Sequence, residues 1–151
     1  MPLDGGIPLT AFSLKKQFQL MSFLAKLEIE GESYNVLDCR ISLHQVTDNS
    51  GKPAAEPQGG TVSIVVESTG SSDFFRWMIS NTETKDGEVI FYRRDAISKM
   101  RDLKFEKAYC IGYNEVFQST NSTPMRVELI LSAKSISMNG VQFKRNWPVE
   151  I

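Results

Sequence analysis

The residues with chemical potential are few. The chain has one histidine, His44, and two cysteines, Cys39 and Cys110. Nucleophilic or general-base catalysis needs such groups to converge with a partner that holds or accepts a proton. His44 has no second histidine, and the sequence lacks a Gly-x-Ser-x-Gly elbow. A hydrolase built on His44 is therefore weaker than the plain reading, a histidine on a strand surface. Each cysteine lies in an apolar stretch, which reads as two buried free thiols, with a bridge between them as the alternative. Scattered in this way, they have neither the Cys-x-x-Cys spacing of redox sites nor the spacing of zinc ligands. Ser13-Leu-Lys-Lys16 matches Ser-x-x-Lys, but the Ser-Asp-Asn and Lys-Thr-Gly motifs of the serine hydrolases that use it are missing. Gly59-Gly60 is not followed by Gly-Lys-Ser/Thr, so it is no phosphate loop. Arg93 and Arg94 could grip a phosphate, against the more ordinary reading of a solvated strand end paired with Asp95. Asn121-Ser-Thr123 fits a glycosylation sequon, a short match that is frequent by chance. The expectation is a non-enzyme with no catalytic residue, cofactor or metal.

The elements around these residues are mostly strands. With 151 residues the chain is about one domain, long enough to bury a core without staples. A formal net charge of −1 gives no reason to expect nucleic acid or anionic membrane as a partner, and no apolar run is long enough to insert into a bilayer. Met1 to Leu20 carries Lys15 and Lys16 at its centre and has no signal-peptide pattern. A clean strand pattern opens at Met21. Residues 1–20 are therefore read as a non-native leader or upstream extension, expected to be disordered, and residues 21–151 as one domain.

From there, alternation with a period of two dominates. Phe23, Ala25, Leu27 and Ile29 share a face, and Gly31-Glu32 reads as a turn. Leu37, Cys39, Ile41 and Leu43 form the next apolar face, opposed by Asp38, Arg40, Ser42 and His44. Strands with one polar face are half-buried and antiparallel. Residues 48–60, with three glycines and two prolines, read as a long loop of the kind that makes contacts; Asp48, Lys52, Glu56 and Gln58 are its candidate contact residues. Val62, Ile64 and Val66 return to strand. Residues 72–80 read as a short α-helix whose Phe74, Phe75, Trp77 and Met78 leave it apolar nearly all round, so it must be covered by the domain or by a neighbour. Lys85-Asp86-Gly87 reads as a turn, Val89 to Tyr92 as a strand, and Asp95 to Met100 as one helical turn. Leu103, Phe105, Tyr109, Ile111 and Tyr113 are assigned to one long strand. Residues 121–124 read as a turn, Val127, Leu129, Leu131 and Ala133 as a strand, and Asn139-Gly140 as the turn of a hairpin. Trp147-Pro148 falls in the tail. The fold class is mainly β: seven or eight antiparallel strands in a small barrel or sandwich with one flanking helix.

An ordered set of segments resembles a known family. Met21-Ser-Phe-Leu-Ala-Lys-Leu-Glu-Ile, Gly59-Gly-Thr-Val-Ser-Ile-Val-Val-Glu-Ser-Thr-Gly70, Asp73-Phe-Phe-Arg-Trp-Met78, Phe91-Tyr-Arg-Arg-Asp-Ala96 and Asn146-Trp-Pro148 together look like the type VI secretion tube proteins of the Hcp family, TssD branch. The likeness runs from Met21 to about Pro148. It implies a β-barrel with a flanking helix, homohexameric rings stacked into a tube, and a lumen that carries effectors. The implied partners are further copies of the chain, the contractile sheath, the tip and effector proteins. The implied location is the bacterial cytoplasm during assembly, followed by export without a cleaved signal peptide. On this reading Asp48, Lys52, Glu56 and Gln58 would belong to a ring-stacking loop, and Phe74, Phe75, Trp77 and Met78 to core or subunit packing. A monomeric β-sandwich ligand-binding module, with an exposed aromatic platform, is the alternative.

Overall fold

The computed structural model describes residues 24–95, 98–120 and 125–147. Its elements run β1 (Leu24–Ile29), β2 (Glu32–His44), β3 (Gln58–Glu67), α1 (Asp73–Met78), β4 (Lys85–Tyr92), β5 (Lys99–Val116), β6 (Arg126–Met138) and β7 (Val141–Lys144). The expected leader and the turn at 121–124 lie outside the described residues.

All strand pairs are antiparallel, in the order β3-β2-β1-β4-β5-β6-β7. A further pairing of β3 with β6 closes the sheet into a barrel, satisfying backbone groups that an open sheet would leave on its edges. Strand β7 extends the β6 edge beyond the end of β3. Inward residues fill the barrel: Leu27, Val62, Ile64, Val66, Val89 and Leu131 are completely buried. The alternation in β1, β3 and β6 is as the sequence indicates, and Asn139-Gly140, both at positive φ (50° and 85°), forms the β6–β7 turn.

Bulges and turns account for the differences. The β1–β2 turn is Glu30-Gly31, both at positive φ (51° and 77°), one residue earlier than expected. A register shift between Val36 and Asp38 makes Leu37 an extra residue, so Tyr34, Val36, Cys39 and Ile41 meet the core while Leu37 is exposed. Leu43 is exposed too, at a second shift beside Gly59. In β5, Lys107 adopts φ 50°, and the inward set switches from Leu103 and Phe105 to Ala108 and Cys110; Ile111 is left on the outer face. Lys85-Asp86-Gly87 is strand, not turn. Asp86 Oδ1 accepts a hydrogen bond from the Lys107 amide at 2.8 Å, and the Phe105 ring lies against Gly87, where a Cβ would sit 2.7 Å from Cζ. Of the helical turn expected over Asp95–Met100, the last two residues are strand instead. Asp95 Oδ1 accepts from the Ser98 amide at 3.1 Å, the Arg93 amide donates to the Ser98 carbonyl at 2.9 Å, and Lys99 and Met100 already belong to β5. Residues Ala96 and Ile97 lie outside the description.

Candidate assembly surfaces

Helix α1 has six residues, shorter than the expected 72–80, and Ser72 makes no side-chain cap. The Asp73 amide instead donates to Ser71 Oγ at 3.1 Å. A helix this short has little stability of its own, so packing must hold it. Phe74 and Trp77 supply that packing. Phe74 is buried with its ring centroid 4.7 Å from that of Tyr34, and Trp77 is fully buried with Nε1 donating to the Glu83 carbonyl at 3.2 Å. The Lys85 ammonium sits 5.6 Å from the Trp77 ring centroid. Met78 is half-buried, its Sδ 3.9 Å from Cys110 Sγ.

The opposite side of the helix is open. Phe75 is 52% exposed and Ile79 68% exposed, four residues apart and so on one helical face. Phe75 meets Tyr113 of β5 edge-on at 5.8 Å, and Ile111 of β5 is also exposed. The four sequence candidates in α1 thus divide: Phe74, Trp77 and Met78 pack inward, and Phe75 presents an apolar surface outward.

The long loop is ordered by its own hydrogen bonds. Asp48 Oδ1 accepts from the Ser50 amide at 2.8 Å, Ser50 Oγ at 2.7 Å and the Lys52 amide at 3.1 Å. The Ser50 hydroxyl, then the amides of Lys52 and Ser50, hold the Asp48 carboxyl below its ordinary pKa. Thr47 and Pro53 form a bridge, and the Ala54 amide donates to the Val46 carbonyl at 2.7 Å. Lys52 and Glu56 are exposed on this small projection; Gln58 is already the first residue of β3, opposite His44.

His44 is exposed at the end of β2. Burial, and then the charge of Asp38, push the Cys39 thiol up to about 11; burial raises Cys110 as well. Both are free thiols held in the protonated, poorly nucleophilic form. Among the described residues no group of three or more His, Cys, Asp or Glu could hold a metal ion, and no helix among them is long and apolar enough to cross a membrane.

Sequence reasoning missed Arg145. Its two terminal nitrogens donate to Ser132 Oγ at 2.9 Å and to the Gly59 carbonyl, and its amide donates to the Lys134 carbonyl at 2.8 Å. It thereby joins β3 and β6 where β7 begins to diverge, and burial lowers its pKa. Nothing local in the sequence marks an arginine just past a hairpin as a residue that bonds to two strands of the barrel.

The family model for TssD, hemolysin coregulated protein Hcp, matches residues 21–148. The chain belongs to this family. Its members are type VI secretion tube proteins. Among solved structures, Hcp1 from Flavobacterium johnsoniae is 41% identical with a TM-score of 0.76, covering 81% of this chain and 99% of that one. Hcp1 from Salmonella typhimurium has the same fold at 13% identity, with a TM-score of 0.65 and coverage of 82% and 92%. A chain of the sheath–tube complex of an extracellular contractile injection system, PVC, also shares it at 14% identity, with a TM-score of 0.51 and coverage of 90% and 100%. No curated protein matches the chain.

Proposed function

We propose that this chain forms homohexameric rings that stack into the inner tube of a type VI secretion machine, and that the open centre of the tube carries effectors for export. The observation that carries the reading is α1, one side of which is locked into the barrel by Phe74 and Trp77 while the other offers Phe75 and Ile79 to a neighbour. Exposed aromatic and aliphatic groups on a rigid support are what a permanent protein interface uses. A closed ring requires head-to-tail contact between two different patches of each copy, and stacking requires a second pair. The projection carrying Asp48, Lys52 and Glu56 is a stacking element, reaching from one ring toward the next. Sheath, tip and effectors are the other partners. The chain assembles in the bacterial cytoplasm and leaves through the machine rather than by a cleaved signal peptide.

The work is mechanical, with no turnover of a small molecule. The binding-module reading calls for a solvent-accessible tryptophan or tyrosine. None of the two tryptophans and four tyrosines is exposed: Trp77 and Tyr34 are buried, and Trp147 is half-buried against Tyr109 at 5.5 Å. Light scattering on the purified chain tests the ring: a particle six times the chain mass supports it, and a stable monomer contradicts it.

A further inference from the structure

The two ends of the barrel carry local patches of different charge. One end carries the Glu30-Gly31 turn and the start of β4. The other carries the β4–β5 connection, because β4 runs from Lys85 at the first end to Tyr92 at the second. The loop between β2 and β3 leaves from this second end too, since β2 starts at the Glu30-Gly31 turn and runs away from it to His44.

A cleft of about 600 Å3 opens at the first end. Six carboxylates line it, Glu28, Glu30, Glu32, Asp86, Glu88 and Glu106, with Lys104 as the one cation in its wall. Glu30 is already engaged by Lys85 at 2.8 Å. Glu28 and Glu88 stand directly opposite each other across the β1–β4 ladder, and like charges in that position destabilise a sheet. Glu88 Oε2 is closed off from solvent and has no hydrogen-bond partner. A carboxylate oxygen in that state costs stability unless a donor reaches it. At the second end Arg93, Arg94, Lys99 and Arg101 are all exposed. Asp95 there is engaged with Ser98, and Asp102 lies 4.0 Å from Lys99.

Building on the tube reading, we propose that the acidic cleft is a docking site for the basic β4–β5 hairpin of a second copy in the adjacent ring. Arginine suits the task, because its planar fork can bond a carboxylate through two N–H groups at once. The two surfaces are different, so the contact is head-to-tail, does not close on itself and gives the tube a direction. It uses none of the apolar face of α1 and is therefore separable from ring formation.

The test is a pair of cysteines, Glu32→Cys in the cleft and Arg94→Cys on the hairpin, introduced together into the full chain and oxidised under native conditions. The expected result is a denaturing-gel ladder that continues past the copy number of one ring, that neither single variant gives, and that is lost in about 1 M salt, where charges are screened beyond roughly 3 Å. Reversal of the cleft by Glu28→Lys with Glu88→Lys should leave rings that no longer stack, and adding Arg93→Glu with Arg94→Glu should restore stacking. Circular dichroism confirms folding of each variant. A missing ladder, a ladder that stops at one ring, or cleft-reversed rings that stack like the parent each overturns the proposal. So does a cleft that binds an arginine-rich peptide but gives no ladder. If the parent forms no rings, the tube reading fails by itself, while the ladder still reports on the contact between ends.

Discussion

Trp77 donates its indole N–H to the carbonyl of Glu83 at 3.2 Å, tying α1 to the residues that lead into β4. Two positions earlier, Phe75 is half exposed on the other side of the same helix. The two aromatics should therefore fail in different ways. Truncating Trp77 to Ala should lower stability by about 3–5 kcal/mol, as large buried side chains do. Phe75→Glu should cost about 1 kcal/mol, mostly its contact with Tyr113, and should abolish assembly. Denaturant unfolding with sizing separates them; an intact ring for Phe75→Glu would remove Phe75 from the interface.

Arg145 should be a stability residue despite its charge. Arg145→Met keeps much of the aliphatic stem but leaves the Gly59 carbonyl and Ser132 hydroxyl without their donor. A loss of about 1–3 kcal/mol is expected. Hydrogen exchange should accelerate first at the start of β3 and along β7; uniform acceleration across the barrel would mean that Arg145 does not act locally at the seam.

Gly87 and Gly31 should respond to alanine for different reasons. At Gly87 the added methyl would meet the Phe105 ring at 2.7 Å, an overpacking cost of about 1–3 kcal/mol that Phe105→Leu should relieve. At Gly31 there is open space, but φ is 77°, so the cost is backbone strain that no neighbouring substitution relieves. A double-mutant cycle should find coupling at Gly87–Phe105 and none between Gly31 and Phe105.

Alkaline pH should loosen the barrel through Cys39. Its folded-state pKa of about 11 lies above the ordinary 9.0 because burial, then Asp38, disfavour the thiolate. The folded form holds this proton more tightly than the unfolded one. The stabilisation is full below about pH 9 and is lost as pH rises toward 11. Melting temperatures across this range should fall less steeply in Cys39→Ala. Identical slopes would show that other groups, such as Tyr113, raised to about 12 by burial and then Glu115, dominate.

Much of the barrel was legible because its strands obey a local rule. From Val62 to Val66 in β3 and from Val127 to Ala133 in β6 every second residue is buried and apolar, so Val62, Ile64, Val66, Leu129 and Leu131 could be read directly. The rule failed where one residue slipped: Leu37 and Lys107 reverse the parity of their strands, and the causes are cross-strand partners distant in sequence. Asp86 looks like a turn residue until the Lys107 amide claims its carboxylate. The composition of α1 revealed that it needed covering, but only packing separates Phe74 and Trp77 from Phe75. Arg145, and the local patches of different charge at the two barrel ends, emerge only once the topology brings β3, β6 and β7, or β1, β4 and β5, together.

The most direct measurement is negative-stain electron microscopy of the purified chain. Six-fold rings with an open centre are the predicted result. A field of monodisperse monomers, unchanged when residues 1–20 are removed, would contradict the account.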